Sequence, residues 1–185
     1  MVIRTRTDEG DFDPAELIQI GVVQAVDLSA ARCTVAVGGI ESPPLRWIES
    51  RMGLTRSWSP PSEGEQVLLL CMDGELASGV ILRGIPSDAF LPIGDSIEEA
   101  ILFPDGARIA YDPEAHRLTA HLPGGSTIDV TADTVNIAGD VAIDGSVSVT
   151  GTVTADDDVI GGGKSLKTHK HSAVQPGSGQ SGAPV

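Results

Sequence analysis

Val135-Asn-Ile-Ala-Gly-Asp140, Val141-Ala-Ile-Asp-Gly-Ser146 and Val147-Ser-Val-Thr-Gly-Thr152 follow one another without a break, and Val153-Thr-Ala-Asp156 continues them. Valine returns at 135, 141, 147, 153 and 159, a strict period of six; Ile137, Ile143 and Val149 stand two positions behind, and Gly139, Gly145 and Gly151 mark the corners. Alternation of period two inside each hexamer puts both aliphatic side chains on one face of a short strand. Such a pattern is a β-helix repeat. A single-chain, left-handed β-helix needs three hexamers, about eighteen residues, per coil, so the regular run 135–159 makes fewer than two coils. Stacked repeats need about three units to bury a core. Three chains wound around a common axis meet that need, because each buries its Val/Ile stripe against the other two. The repeat therefore predicts an intertwined, triple-stranded β-helix in a homotrimer.

Upstream of the repeat the text changes character. Ile18–Val26, Cys33–Val37, Gln66–Cys71 and Gly79–Leu82 read as short strands, punctuated by Gly38-Gly39, Pro43-Pro44, Pro60-Pro61 and Asp73-Gly74. About five short strands in so little chain suggest a small closed barrel, for which an OB-fold is the economical choice. Glu99–Phe103 and Ala107–Tyr111 flank Pro104-Asp-Gly106 and predict a hairpin, since Asp-Gly supplies the positive φ values of a tight turn. Helical signal is nearly absent. The expected chain is mainly β: a flexible arm over 1–14, an OB-fold-like barrel over 15–95, a triple-stranded β-helix shaft over 96–160 and an apex over 161–185.

Composition narrows the function. The 185 residues carry 12 Lys and Arg against 26 Asp and Glu, a net charge of −14, which argues against nucleic acid and anionic membrane surfaces as partners. Aromatic residues make up 3% and none follows Tyr111, so the C-terminal part cannot build an ordinary globular core. Two cysteines, Cys33 and Cys71, are too few for a disulfide framework; each lies in an apolar run and reads as a buried, reduced thiol of a chain made in the cytoplasm. The charged segment 1–14 lacks the apolar stretch of a signal peptide, and Val67–Met72, the longest apolar run, falls far short of the roughly 20 residues that span a bilayer.

Gly161-Gly-Gly-Lys-Ser165 invites a phosphate-loop reading, but Asp158 stands where that motif needs its first glycine, and no strand-then-helix context surrounds it. His169 and His171 are the candidates for chemistry. Residues i and i+2 of an extended segment point the same way, so both imidazoles share one face, with Lys170 turned outward. Two ligands bind metal weakly; three chains at an axis bring six imidazoles together. Six nitrogen donors suit an octahedral ion, iron(II) or a neighbouring divalent metal, better than zinc, which prefers four ligands. Further ions on the same axis stay open. Asp156–Asp158 reads as a solvated corner where the repeat breaks, with calcium as the alternative. All three lysines, Lys164, Lys167 and Lys170, crowd into this end, either for solubility or to relieve repulsion in an acidic assembly. His116 and His121 read as surface residues. No catalytic triad or carboxylate pair stands out, so neither an enzyme nor a small-molecule substrate is expected.

Taken together, an OB-like start with Glu63-Gly-Glu-Gln-Val-Leu68 and Gly79-Val-Ile-Leu-Arg-Gly-Ile85, the Phe103-Pro-Asp-Gly106 segment, period-six strands and Leu166-Lys-Thr-His-Lys-His171 with a Gly/Gln/Pro tail resemble the baseplate assembly protein V family. That family supplies the central spike of P2-like contractile phage tails and R-type pyocins. The resemblance implies a homotrimer under the tail hub, docked through the OB-like part among baseplate proteins and piercing the outer membrane of the target cell in passing. It implies iron (Fe2+) held at the apex by His169 and His171 of three chains. It also implies a place in the phage tail or pyocin particle after synthesis without a signal peptide. A generic trimeric fibre or adhesin and a hexapeptide-repeat acyltransferase are the competing classes.

Overall fold

The computed structural model describes residues 14–170 together with 172 and 177. Its compact units divide after Ile128. In the first, six strands form one sheet: β1 (Ile18–Asp27), β2 (Arg32–Val37), β3 (Ile40–Glu41), β4 (Arg46–Trp47), β5 (Gln66–Leu70) and β6 (Val80–Ile85), in the order β3-β2-β1-β5-β6-β4. β4 runs parallel to β6, while Leu45, just before β4, exchanges both backbone hydrogen bonds with Cys33 of β2 at 2.8 and 3.0 Å. One segment thus bonds near both ends of the sheet, which forces the sheet to curl. A register shift between Val23 and Ala25 adds local twist to β1.

Alternation decides what the curl encloses. Val23 of β1, Cys33 and Val35 of β2, Trp47 of β4, Val67 and Leu69 of β5 and Ile81 of β6 point inward with Leu45 and Cys71 to form the core. Each fully buried aliphatic side chain contributes about 1.5–3 kcal/mol. Both cysteines are buried and free, and burial pushes the Cys33 thiol up to about 11. The opposite face of the same strands is aliphatic as well: Ile18, Ile20, Val22, Leu70 and Leu82 lie exposed there.

The Phe103-Pro-Asp-Gly106 segment forms the expected hairpin. β7 (Glu99–Leu102), β8 (Arg108–Asp112) and β9 (Arg117–His121) make an antiparallel three-stranded meander. Gly106 (φ 89°) takes the left-handed position, Phe103 N donates to Ala107 O at 2.8 Å, and Asp105 Oδ1 caps Ala107 N. The second turn is closed by Asp112 Oδ1, which accepts from the backbone of Glu114 and Ala115; His116 occupies its left-handed position (φ 51°).

Beyond Ile128 the period-six run behaves differently. Residues 129–159 form no strand or helix within the chain, and the stripe stands open, from 44% exposed at Val159 to 71% at Ile137. Gly139 and Gly145 carry φ of 138° and 146°, a geometry that disfavours a side chain at the corners. No helix among the described residues is long and apolar enough to cross a membrane.

Candidate functional site

The chain regains regular structure just past the repeat. β10 (Ile160–Gly161) and β11 (Lys164–Ser165) pair antiparallel around Gly162-Gly163, whose φ values of 57° and 77° are the two positive dihedrals of a tight two-residue hairpin. The Gly-Lys-Ser stretch is therefore a hairpin strand, as its poor fit to a phosphate loop implied. Leu166 N extends the ladder with a 2.9 Å bond to Val159 O.

Asp158 ties this hairpin together. Its Oδ1 accepts from Val159 N at 2.8 Å and from Lys167 N at 3.1 Å. Polar contact with the Ser165 side chain, helped by backbone N–H groups, holds the Asp158 carboxyl below the usual range. Ser165 Oγ in turn accepts from Thr168 N (2.9 Å) and the Thr168 hydroxyl (3.0 Å), which fills both of its acceptor positions. Asp157 meets Lys167 Nζ at 3.5 Å, an exposed pair of little energetic weight. The expectation of a uniformly solvated acidic corner holds for the exposed Asp156 and Asp157; Asp158 is half-buried and bound into the hairpin.

His169 follows from this turn. Its backbone N–H donates to Ser165 O at 3.1 Å, and its Nδ1 lies 3.0 Å from the same oxygen and 3.3 Å from Leu166 O. A carbonyl can only accept, so in a neutral imidazole Nδ1 carries the proton and Nε2 carries the lone pair. That is the usual arrangement of a metal-ligating histidine, whose other nitrogen donates to a carbonyl or carboxylate. The donor chemistry of His169 thus fits a divalent metal. His171 lies outside the described residues, and among the described residues of one chain no three His, Cys, Asp or Glu side chains gather as a metal site. His116 and His121 sit at the exposed turn and end of β9.

Ser165 and Thr168 escaped the sequence reading, which took Asp158 as part of a solvated corner or a calcium site. The available signal was Ser-x-x-Thr directly after a Gly-Gly hairpin, since serine hydroxyls accept from the backbone three residues on.

Comparison with known proteins bears on both ends of the chain. Residues 19–85, essentially β1 through β6, match the Type VI secretion system/phage-baseplate injector OB domain. Residues 165–185, beginning at the serine that anchors His169, match the GpV Apex motif. The chain is 43% identical over 117 residues to the Spike protein of Escherichia phage P2, covering 63% of this chain and 54% of that protein; it thus spans about half the length of this curated relative. One chain thus combines a match to an injector OB domain, a match to an apex motif and a 43% identity to a phage spike over 117 residues, which supports kinship with the baseplate spike V proteins.

Proposed function

We propose that the protein is the structural spike of a contractile tail, of a phage or an R-type pyocin, and that it acts by mechanical force, not by catalysis. Beyond the β7–β9 meander, three chains wind the period-six run 135–159 of the shaft into a triple-stranded β-helix, the OB-like domain over 15–95 docks under the baseplate hub, and residues 161–185 lead through the target cell's outer membrane. The observation that carries this reading is the stripe Val135–Val159. It lies between an OB domain and an apex motif, is aliphatic at every sixth position, and stands more than 40% exposed in one chain. Leaving so much aliphatic surface in water is costly, and two further copies supply a matching surface at the same level of the axis.

At the apex, His169 and His171 of three chains would hold iron or a neighbouring divalent metal. Bound there, the metal would supply a cross-link among the three chains in a stretch whose sequence offers few sizeable aliphatic side chains. The chain's own contribution is to hold the imidazoles: Ser165 O fixes the proton of His169 on Nδ1. Replacing both histidines with Ala should abolish bound metal in the purified trimer and leave assembly intact. Wild-type protein with metal well below one ion per three chains, after metal-replete expression without chelator, would refute the centre. Particles built with a chain ending at Gly161 should assemble but lose killing; unchanged killing would overturn the piercing role.

A further inference from the structure

We propose that Asp158 is the positioning residue of the apex: its carboxylate locks the Ser165–Thr168 turn so that Ser165 O receives the Nδ1–H of His169 and metal ligation falls to Nε2. This inference rests on the metal-centre reading above. It starts from bonds that link three parts of the hairpin. Asp158 binds the backbone on both sides of the turn, at Val159 and at Lys167, eight residues apart along the chain. The Lys167 N–H that it accepts lies inside the turn, two residues after Ser165, whose carbonyl receives His169. Thr168 closes the ring by donating twice to Ser165 Oγ. Within one chain the segment 164–169 buries little side chain, and the polar ring supports the imidazole where packing inside the chain does not. Asp156 and Asp157 make no comparable set of bonds among the described residues, and Asp157 spends its one on an exposed lysine.

The test uses the full-length assembled protein, wild type beside Asp158→Ala, Asp158→Asn and Ser165→Ala. Two quantities are read: iron(II) bound per three chains with its affinity, and the tautomer of His169 in metal-free protein from nitrogen-15 NMR of labelled histidine. Loss of an outer partner of a metal-bound histidine typically weakens metal 10–100-fold, so Asp158→Ala should fall about that far. The same change should convert His169 from a fixed Nδ1–H form to a mixture. Asp158→Asn keeps an accepting oxygen and should restore most of both signals. A purely structural role would alter assembly without moving the tautomer. Equal iron affinity and an unchanged tautomer in Asp158→Ala would overturn the inference. If wild type binds no iron, the metal-centre reading fails, and the tautomer alone then judges Asp158: a shift upholds its positioning role and no shift ends it. Should Asp158→Ala fail to assemble, Asp158→Asn and Ser165→Ala carry the same two readouts. An intact tautomer in Ser165→Ala would likewise contradict the relay through that hydroxyl.

Discussion

Gly21 is fixed by proximity. A Cβ there would fall 2.4 Å from Val35 Cγ1 and 2.8 Å from the carbonyl oxygen of Ala36, and a backbone oxygen cannot step aside as a side chain can. Gly21→Ala should cost about 1–3 kcal/mol through overpacking, seen as a lower urea midpoint; an unchanged midpoint would mean that β1 and β2 separate freely at this crossing. Glu49 is fixed by satisfaction instead. Its side chain is only 3% exposed, and it accepts from Trp47 Nε1 (2.9 Å), Ser57 Oγ (2.9 Å) and Ser59 N (2.8 Å), with Arg83 at 3.7 Å. Removing it strands several donors, so Glu49→Ala should destabilise this unit by about 3 kcal/mol. The Ser59 N–H, aided by Trp47, Ser57 and Arg83, holds its carboxyl below the ordinary 4.5. A depressed carboxyl stabilises the fold above its unfolded value and loses that stabilisation as pH falls through the folded one. Unfolding followed from pH 6 down to pH 3 should show this loss in wild type and a flatter profile in Glu49→Ala. Neither residue was legible in the sequence: Gly21 sits in an apolar run like any other strand residue, and Glu49 is one acid among 26.

At the scale of elements, legibility followed periodicity. Strands of the OB unit announce themselves because alternating Val, Leu and Ile bury one face within a single chain, and the Asp-Gly turn marks the β7–β8 hairpin. The β10–β11 hairpin is only two residues per strand, too short for any period, and the polar ring of Asp158, Ser165 and Thr168 depends on a turn geometry that composition does not reveal. In the hexamers the opposite holds: the period is plain, but one chain has no partner for it, so the strands it predicts do not form within that chain. The prediction at this scale compares two neighbours. Ile143 belongs to the aliphatic stripe and Asp144 to the alternate face. Ile143→Asp would bring three carboxylates together inside a triple-stranded shaft, a burial that unpaired charges do not tolerate. It should abolish assembly in sedimentation, whereas Asp144→Ser should sediment as wild type. Equal behaviour of the two variants would mean that the stripe faces solvent.

The whole molecule separates two ways of being stable. Residues up to Ile85 hold a core of their own in Val35, Val67, Leu69 and Ile81, each 0% exposed; residues 129–159 have aliphatic surface but no core. Charge is divided too, since residues 118–163 carry seven acids and no Lys or Arg while every lysine lies at 164–170. Assembly by interwinding would then belong to the C-terminal half, and attachment to the OB unit, whose outer sheet face offers Ile18, Ile20, Leu70 and Leu82 to another surface. A fragment beginning at Ser96 tests that division. It should still form a trimer that resists mild SDS, because interwound chains part only by unwinding, and it should fail to join tails lacking their own spike. The full chain with Ile20→Asp and Leu70→Asp should show the converse, a normal trimer with impaired incorporation. A Ser96 fragment that sediments as a monomer at micromolar concentration would move trimerisation to the OB unit, and the aliphatic outer face of β1 and β5 would then be the surface to mutate for assembly, not for docking.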